Sequence, residues 1–392
     1  MNNRIYLDNA ATTEMLPEVS YAMEPYFIKK YGNASTTYEL GVEARNAIEL
    51  AREQVAASIM AKPSEIFFTS GGSESDNWAI KNTAGERKHQ GKHIITSKIE
   101  HHAVLHSCQY LEELDYKVTY LNVNRDGIVD MNELEKTLRE SEYSKNMKEQ
   151  VTLISIMYAN NEIGTLQPVE EIGKLARKKG IIFHTDAVQA VGQLPISVRR
   201  LPIDMLSASA HKFHGPKGMG FLYVREGVEL PSFIHGGAQE KGKRAGTENV
   251  AGIVGMAKAL NIATKEMSRK SRELITLRNY FAKRVLTEIP ETVLNGHSEK
   301  RLPGNLNFSF KDVQGTALLV LLEEEGIYAS AGSACSSGIT SISHVIDAIG
   351  VPKEYAYGTI RFSMGRDTSR RDVDRTISVL KNSIQLLRAG SI

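Results

Sequence analysis

The chain has 392 residues, 48 Lys+Arg against 46 Asp+Glu, a formal net charge of +2, and 41% hydrophobic residues. That length suits two domains, or one large and one small. The near-balanced charge gives no sign of nucleic-acid or membrane-surface binding, and no apolar run approaches about 20 residues, so no membrane span is expected. Only two cysteines occur, Cys108 and Cys335. With no apolar leader at MNNRIYLDNAATT, they point to a reducing, cytoplasmic setting and argue against a disulfide scaffold.

Ile5-Tyr6-Leu7 is a short apolar piece, followed by turn chemistry at 8–13; Tyr31–Thr36 is a second polar turn containing Asn33. Apolar residues at helical spacing predict a helix over 39–60. Glu65–Thr69 reads as a short buried strand that runs into Ser70-Gly71-Gly72-Ser73 and a helix start. Strand, glycine turn, hydroxyl and helix start together point free backbone N–H groups at an anion, although an ordinary N-capped helix has the same pattern. Further strands are predicted at 93–97, 117–123, 152–159 and 181–187. Helices are predicted over 99–114, 131–139 and 168–179, and residues 141–150 read as a surface loop.

The stretch Ser207–Gly220 (SASAHKFHGPKGMG) follows another apolar run and precedes the strand-like 221–224. It carries Lys212 beside Ser209, His211 and His214. Burial lowers a lysine pKa and makes the amine a nucleophile capable of forming a Schiff base. The strand–helix alternation over 65–225 predicts an α/β layer with a largely parallel sheet, in which ligands bind beyond the carboxyl ends of the strands. Gly72-Ser73, His101, Asn161, Asp186 and Lys212 all fall at or just after predicted strand ends. The remainder contains a glycine-rich polar loop (236–249), a long helical pattern (250–286) and an α+β segment with strands at 305–310 and 359–364. It also holds the small-polar stretch 330–340, which predicts an exposed, mobile loop around Cys335. Cys108 sits on the apolar side of a predicted helix and is expected to be inert.

A lysine, an anion site, a carboxylate and an imidazole able to stack on a ring form the binding set for pyridoxal 5'-phosphate. Lys212 would hold the cofactor aldehyde, and Asp186 would keep the pyridine nitrogen protonated.

Over essentially its whole length the chain resembles the cysteine desulfurases of the NifS-like and IscS-like type, in the class V branch of fold-type I pyridoxal phosphate enzymes. The resemblance rests on YLDNAATT (6–13), FTSGGSESDN (68–77), EHHAVL (100–105), NNEIGTLQP (160–168), HTDAVQ (184–189), SASAHKFHGPKG (207–218), GGAQEKGKRAGTEN (236–249), SAGSACSSG (330–338) and IRFSMGR (360–366). It implies a large domain (15–259) with a mainly parallel seven-stranded sheet. It also implies a smaller α+β domain (1–14 and 260–392) that carries the cysteine loop.

By the same resemblance Lys212 is the Schiff-base lysine, with Lys217 the weaker candidate. His101 stacks on the cofactor and serves in acid–base steps; Asp186 partners the ring nitrogen and Gln189 the ring oxygen. Gly72, Ser73, Ser209 and His211 form the phosphate site. Thr247 reaches the phosphate from the second subunit of a homodimer. Asn161 and Arg361, with Asn33, bind the substrate carboxylate, and Asn161 also borders the cofactor. Cys335 is the nucleophile that takes sulfur from L-cysteine, leaving alanine and an enzyme persulfide. That sulfur is then passed to an acceptor protein for iron–sulfur cluster assembly or tRNA thiolation. No metal is implied. Ala34 and Ser73 depart from the residues common in the family, 141–150 looks like a small insertion, and the C-terminal end is short. A selenocysteine lyase or another class V enzyme is the alternative; an aminotransferase would not need Cys335.

Overall fold

The computed structural model describes residues 4–331 and 342–390. Twelve strands occur among them: β1 (Ile5–Tyr6), β2 (Ile66–Thr69), β3 (His93–Ser97), β4 (Lys117–Leu121), β5 (Val151–Ser155), β6 (Ile182–Asp186), β7 (Met205–Ser209), β8 (Gly220–Val224), β9 (Thr292–Leu294), β10 (Asn305–Phe310), β11 (Ile327–Tyr328) and β12 (Thr359–Ser363). Seven of these form one sheet in the order β2-β8-β7-β6-β5-β3-β4. All run the same way except β8, which is antiparallel to both β2 and β7.

Every residue of β2, β3, β5, β6, β7 and β8 is buried, as expected when helices cover both faces of a parallel sheet. Alternate residues serve opposite faces. Ile95, Ile154, Phe183, Leu206 and Phe221 pack into one core with the helix Glu39–Ser58 and the start of the helix Val250–Glu288. Their chain neighbours Ile94, Leu153, Ile182, Met205 and Leu222 pack into the other, against Trp78, Ile80 and the helix His102–Glu113. At Gly220 no side chain could fit: a Cβ would lie 2.5 Å from the Ala208 carbonyl oxygen and 2.6 Å from Gly71 Cα. The antiparallel strand therefore fits tightly under the Gly71 turn.

A second, three-stranded antiparallel sheet has the order β12-β10-β9. Its core gathers Phe281, Phe308, Phe310 and Phe362 with Ile5, Leu7 and the helices Gly315–Glu324 and Arg370–Ala389. The N-terminal segment pairs with β11 in a separate two-stranded sheet and reaches β12 through an Asp8–Ser363 bridge. The helix Val250–Glu288 supplies Met256 and Leu260 to the first core and Phe281 and Val285 to the second. A division at residue 260 thus falls inside a continuous helix.

Two expectations need correction. Residues 141–150 are not simply a loop, because the preceding helix runs Met131–Tyr143 and a short turn covers Met147–Glu149. The polar side chains there serve the backbone: Val151 N donates to Ser141 Oγ (2.8 Å), and Gln150 Nε2 donates to the Ser141 carbonyl (2.7 Å). The helix expected from Ile99 begins at His102, because His101 caps it by accepting from Ala103 N (3.1 Å). No helix among the described residues is long and apolar enough to cross a membrane.

Candidate active site

The connections after β2, β3, β5, β6 and β7 leave the same edge of the large sheet, and β3 lies between β4 and β5, where the direction of winding reverses. Such a switch point is where open α/β sheets bind ligands.

Lys212 closes a short turn directly after β7. Its ammonium donates to the carbonyls of Ala10 (2.6 Å) and Ala11 (2.7 Å). The 8–13 loop is fixed to the same turn, since Thr13 donates to the His211 carbonyl from both its backbone N (2.9 Å) and its hydroxyl (2.8 Å). Gln189 Nε2 also donates to the Ala10 carbonyl (3.0 Å). One N-terminal loop therefore organises Lys212 and Gln189 together. Lys217, by contrast, is exposed.

Asp186 ends β6, buried, with Oδ1 accepting from Val188 N (2.9 Å). Desolvation raises its pKa, and His101 and Lys212 oppose that rise. Its carboxylate, a ring nitrogen of His101 and a carboxylate oxygen of Asp76 lie within 4.8 Å of one another. His101 is exposed to the cleft, yet enough protein surrounds the ring that desolvation lowers its pKa, against the pull of Asp186. Next to it the His102 ring lies 5.1 Å from that of His106 and 5.0 Å from that of His344.

The glycine turn after β2 brings Gly72 and Ser209 side by side. A Cβ on Gly72 would meet Val188 Cγ2 at 2.5 Å and Ser209 Cβ at 3.7 Å, so a side chain there would have to displace Val188. Ser73 is exposed at this helix start. His211 faces Thr12 Oγ1 at 3.2 Å; desolvation, with Lys212 and Lys217 nearby, lowers its pKa to about 4. Glu74 accepts from Ser70 N (2.9 Å) and from Arg244 (2.8 and 3.1 Å), tying the 236–249 loop to this helix start. Thr247 is exposed on that loop.

Arg361 in β12 is buried; Nη1 donates to the Asn161 carbonyl (3.0 Å) and Nη2 to Asp8 Oδ1 (2.7 Å), while its buried Nε has no hydrogen-bond partner among the described residues. Asn33 lies in the exposed turn, where its side chain accepts from Ser35 N (2.9 Å).

Cys335 and its neighbours lie outside the described residues, but the chain on either side is anchored at this site. Ser330 and Arg361 exchange backbone hydrogen bonds (2.6 and 3.2 Å). Ser343 Oγ donates to Glu162 (2.6 Å), and His344 Nε2 contacts the Glu100 carbonyl (3.0 Å). Cys108 is fully buried, and desolvation pushes its thiol pKa far up, which makes it a poor nucleophile.

Several contributors fall inside the quoted motifs but are not marked there as site residues. Asp8 is the charged partner of Arg361, Glu162 anchors Ser343, and the Ala10 and Ala11 carbonyls receive Lys212. Glu100, with its pKa raised to about 8 by burial, accepts from Ser97 Oγ and Met157 N. Each acts through the fold, and none belongs to a spacing pattern.

The family model for aminotransferase class-V matches residues 5–376. A cysteine desulfurase IscS of Dictyoglomus turgidum is 51% identical, the match covering 100% of this chain and 97% of that protein. The corresponding protein of Methanosarcina thermophila is 50% identical, covering 99% and 93%. Among solved structures, a NifS-like protein superposes with a TM-score of 0.89 at 39% identity, covering 98% of this chain and 100% of that one. The chain therefore belongs to the class-V aminotransferase family and, within it, to the cysteine desulfurases.

Proposed function

We propose that the protein is a pyridoxal 5'-phosphate-dependent cysteine desulfurase that takes sulfur from L-cysteine, releases L-alanine and carries the sulfur as a persulfide on Cys335. The observation that supports this best is the convergence at one sheet edge of Lys212, Asp186 and His101, with Arg361 tied to Asp8 in the same N-terminal loop that receives Lys212.

The donor set fits the cofactor. A buried carboxylate stands ready for a protonated nitrogen, a lysine closes the turn after the next strand, and a glycine cradle with Ser209 lies beside it. Bound there, the cofactor supplies an aldehyde that condenses with amines and a protonated ring that draws electron density from the substrate α-carbon. Gly72, Ser73, Ser209 and His211 hold its phosphate, joined by Thr247 from the second subunit of a homodimer. Asp186 keeps the ring-nitrogen proton in place, Gln189 donates to the ring oxygen, and His101 stacks on the ring.

The substrate carboxylate is taken by Arg361 and Asn161, with Asn33 contributing; the unpartnered Nε of Arg361 is a donor ready for it. Lys212 removes the α-proton. The Cys335 thiolate attacks the substrate sulfur, so the new S–S bond forms as the substrate C–S bond breaks. A free thiolate is required, which suits a reducing compartment such as the cytoplasm. The persulfide is then handed to an acceptor protein of iron–sulfur assembly or tRNA thiolation.

Mass spectrometry of the protein after incubation with L-cysteine tests this. One added sulfur on Cys335, absent in Lys212→Ala, is expected. An unmodified Cys335 in a turning-over enzyme would instead indicate a lyase that needs no nucleophile.

A further inference from the structure

Behind Asp186 lies a second carboxyl that no step above uses. Asp76 sits on the short helix after β2 and is 1% exposed. Its carboxylate oxygen is within 4.8 Å of that of Asp186, and its Oδ1 has no hydrogen-bond partner among the described residues. Ser207 lies near enough to the Asp76 side chain to pull its pKa down, against the effect of burial. His184, wholly buried, approaches Oδ1 at 3.6 Å, but both of its nitrogens are engaged by hydroxyls, Nε2 with Ser207 (2.9 Å) and Nδ1 with Ser155 (2.8 Å).

We propose that Asp76 is a positioning residue: a neutral carboxylic acid, lodged beside His184, whose protonation leaves the negative charge on Asp186 and so sets how strongly Asp186 holds its own partner. Two like charges this close in a dry interior do not both persist. The groups facing Asp76 decide which one loses its charge. Burial, then the acidic Asp186 and Glu100, push Asp76 toward the neutral form and outweigh the opposing pull of Ser207. His184 stays neutral, because desolvation drives its pKa down to about 3. His101 and Lys212 act on Asp186, where both oppose the rise in its pKa. The negative charge therefore rests on Asp186 and the proton on Asp76. One member of the carboxyl pair thus stays protonated so that the other can carry the charge.

The role toward the ring nitrogen rests on the cofactor reading above; the protonation of Asp76 does not, and cofactor-free protein tests it alone. A neutral acid in the fold that ionises when unfolded loses stability as pH rises above about 4. Asp76→Asn removes that loss, so its melting temperature should rise relative to wild type between about pH 4 and pH 8. Its infrared difference spectrum against wild type at pH 7 should show loss of a protonated-carboxyl C=O band. A melting temperature that falls relative to wild type with rising pH, or loss of ionised-carboxylate bands alone, overturns the proposal. In the loaded enzyme, Asp76→Leu should move the pH midpoint of the cofactor's visible absorbance by about one unit, while Asp76→Asn, which keeps a donor, restores it. Equal midpoints in wild type and Asp76→Leu would overturn the coupling to Asp186. A wild-type protein that takes up no pyridoxal phosphate would overturn the cofactor reading and leave the infrared result to decide Asp76.

Discussion

Arg361 is 4% exposed and spends its guanidinium on the Asn161 carbonyl and the Asp8 carboxylate, with Nε left over. A lysine there keeps the charge but cannot present a planar fork to a carboxylate. Arg361→Lys should therefore raise KM for L-cysteine roughly 10- to 100-fold, the equivalent of one charged hydrogen bond; an unchanged KM in steady-state kinetics would remove Arg361 from substrate binding. His101 offers a second residue-level test. Desolvation lowers its pKa and the Asp186 carboxylate pulls it back up. Removing that carboxylate in cofactor-free Asp186→Asn should lower the His101 pKa further, seen as an acid shift of its imidazole resonance in an NMR titration. An upward shift would mean that the two side chains are not coupled as their geometry implies. Arg361 is apparent in the sequence as part of IRFSMGR. Asp8, its partner, reads there only as a turn residue, because nothing local says where its carboxylate points.

The loop 236–249 is held by a different device. Glu240 and Lys241 take left-handed backbone conformations (φ 45° and 60°), uncommon for residues with a Cβ. What holds Glu240 there is a buried pair with Arg52: Nη1 and Nη2 lie 2.7 and 2.8 Å from its two oxygens, and Phe68 N donates to it at 2.9 Å. Glu240→Gln leaves a guanidinium buried without a counter-charge, and the expected loss is about 3–5 kcal/mol of unfolding free energy in urea. A loss below about 1 kcal/mol would mean that the pair is solvated and the loop is held elsewhere. At this scale much of the fold is legible. The buried strands are short apolar runs bounded by turn residues, and their predicted positions lie within a few residues of the observed ones. The stretch 141–150 is the exception. Its residues have no apolar period, and its order comes from Ser141 and Gln150 serving backbone groups, which a hydropathy pattern does not register.

Across the whole molecule, the site is assembled where the two cores meet. The helix Val250–Glu288 runs from one core into the other over roughly 58 Å, and Arg366 beyond β12 pairs with Glu266 on it at 3.0 Å. The segment bearing Cys335 leaves the small sheet beside Arg361 and returns at Ser343, which caps the helix His344–Ala348 and grips Glu162 of the large sheet's β5 connection. Ser343→Ala removes both the cap and that grip. A stability loss of about 1 kcal/mol is expected, together with slower persulfide formation on Cys335 and unchanged cofactor absorbance. A persulfide rate equal to wild type would mean that this anchor does not position the cysteine.

The sequence alone determined the layered α/β architecture, the strand ends, the glycine turn and Lys212, because each is encoded within a few neighbouring residues by periodicity, turn chemistry and burial. The family motifs added named roles to those same positions. Only the tertiary structure decided which charges meet. Asp8 pairs with Arg361 across 353 residues of chain, Asp76 lies against Asp186, and Glu240 against Arg52. A buried charge must find its partner wherever the fold places one, and that pairing is a property of packing, with no local pattern to announce it.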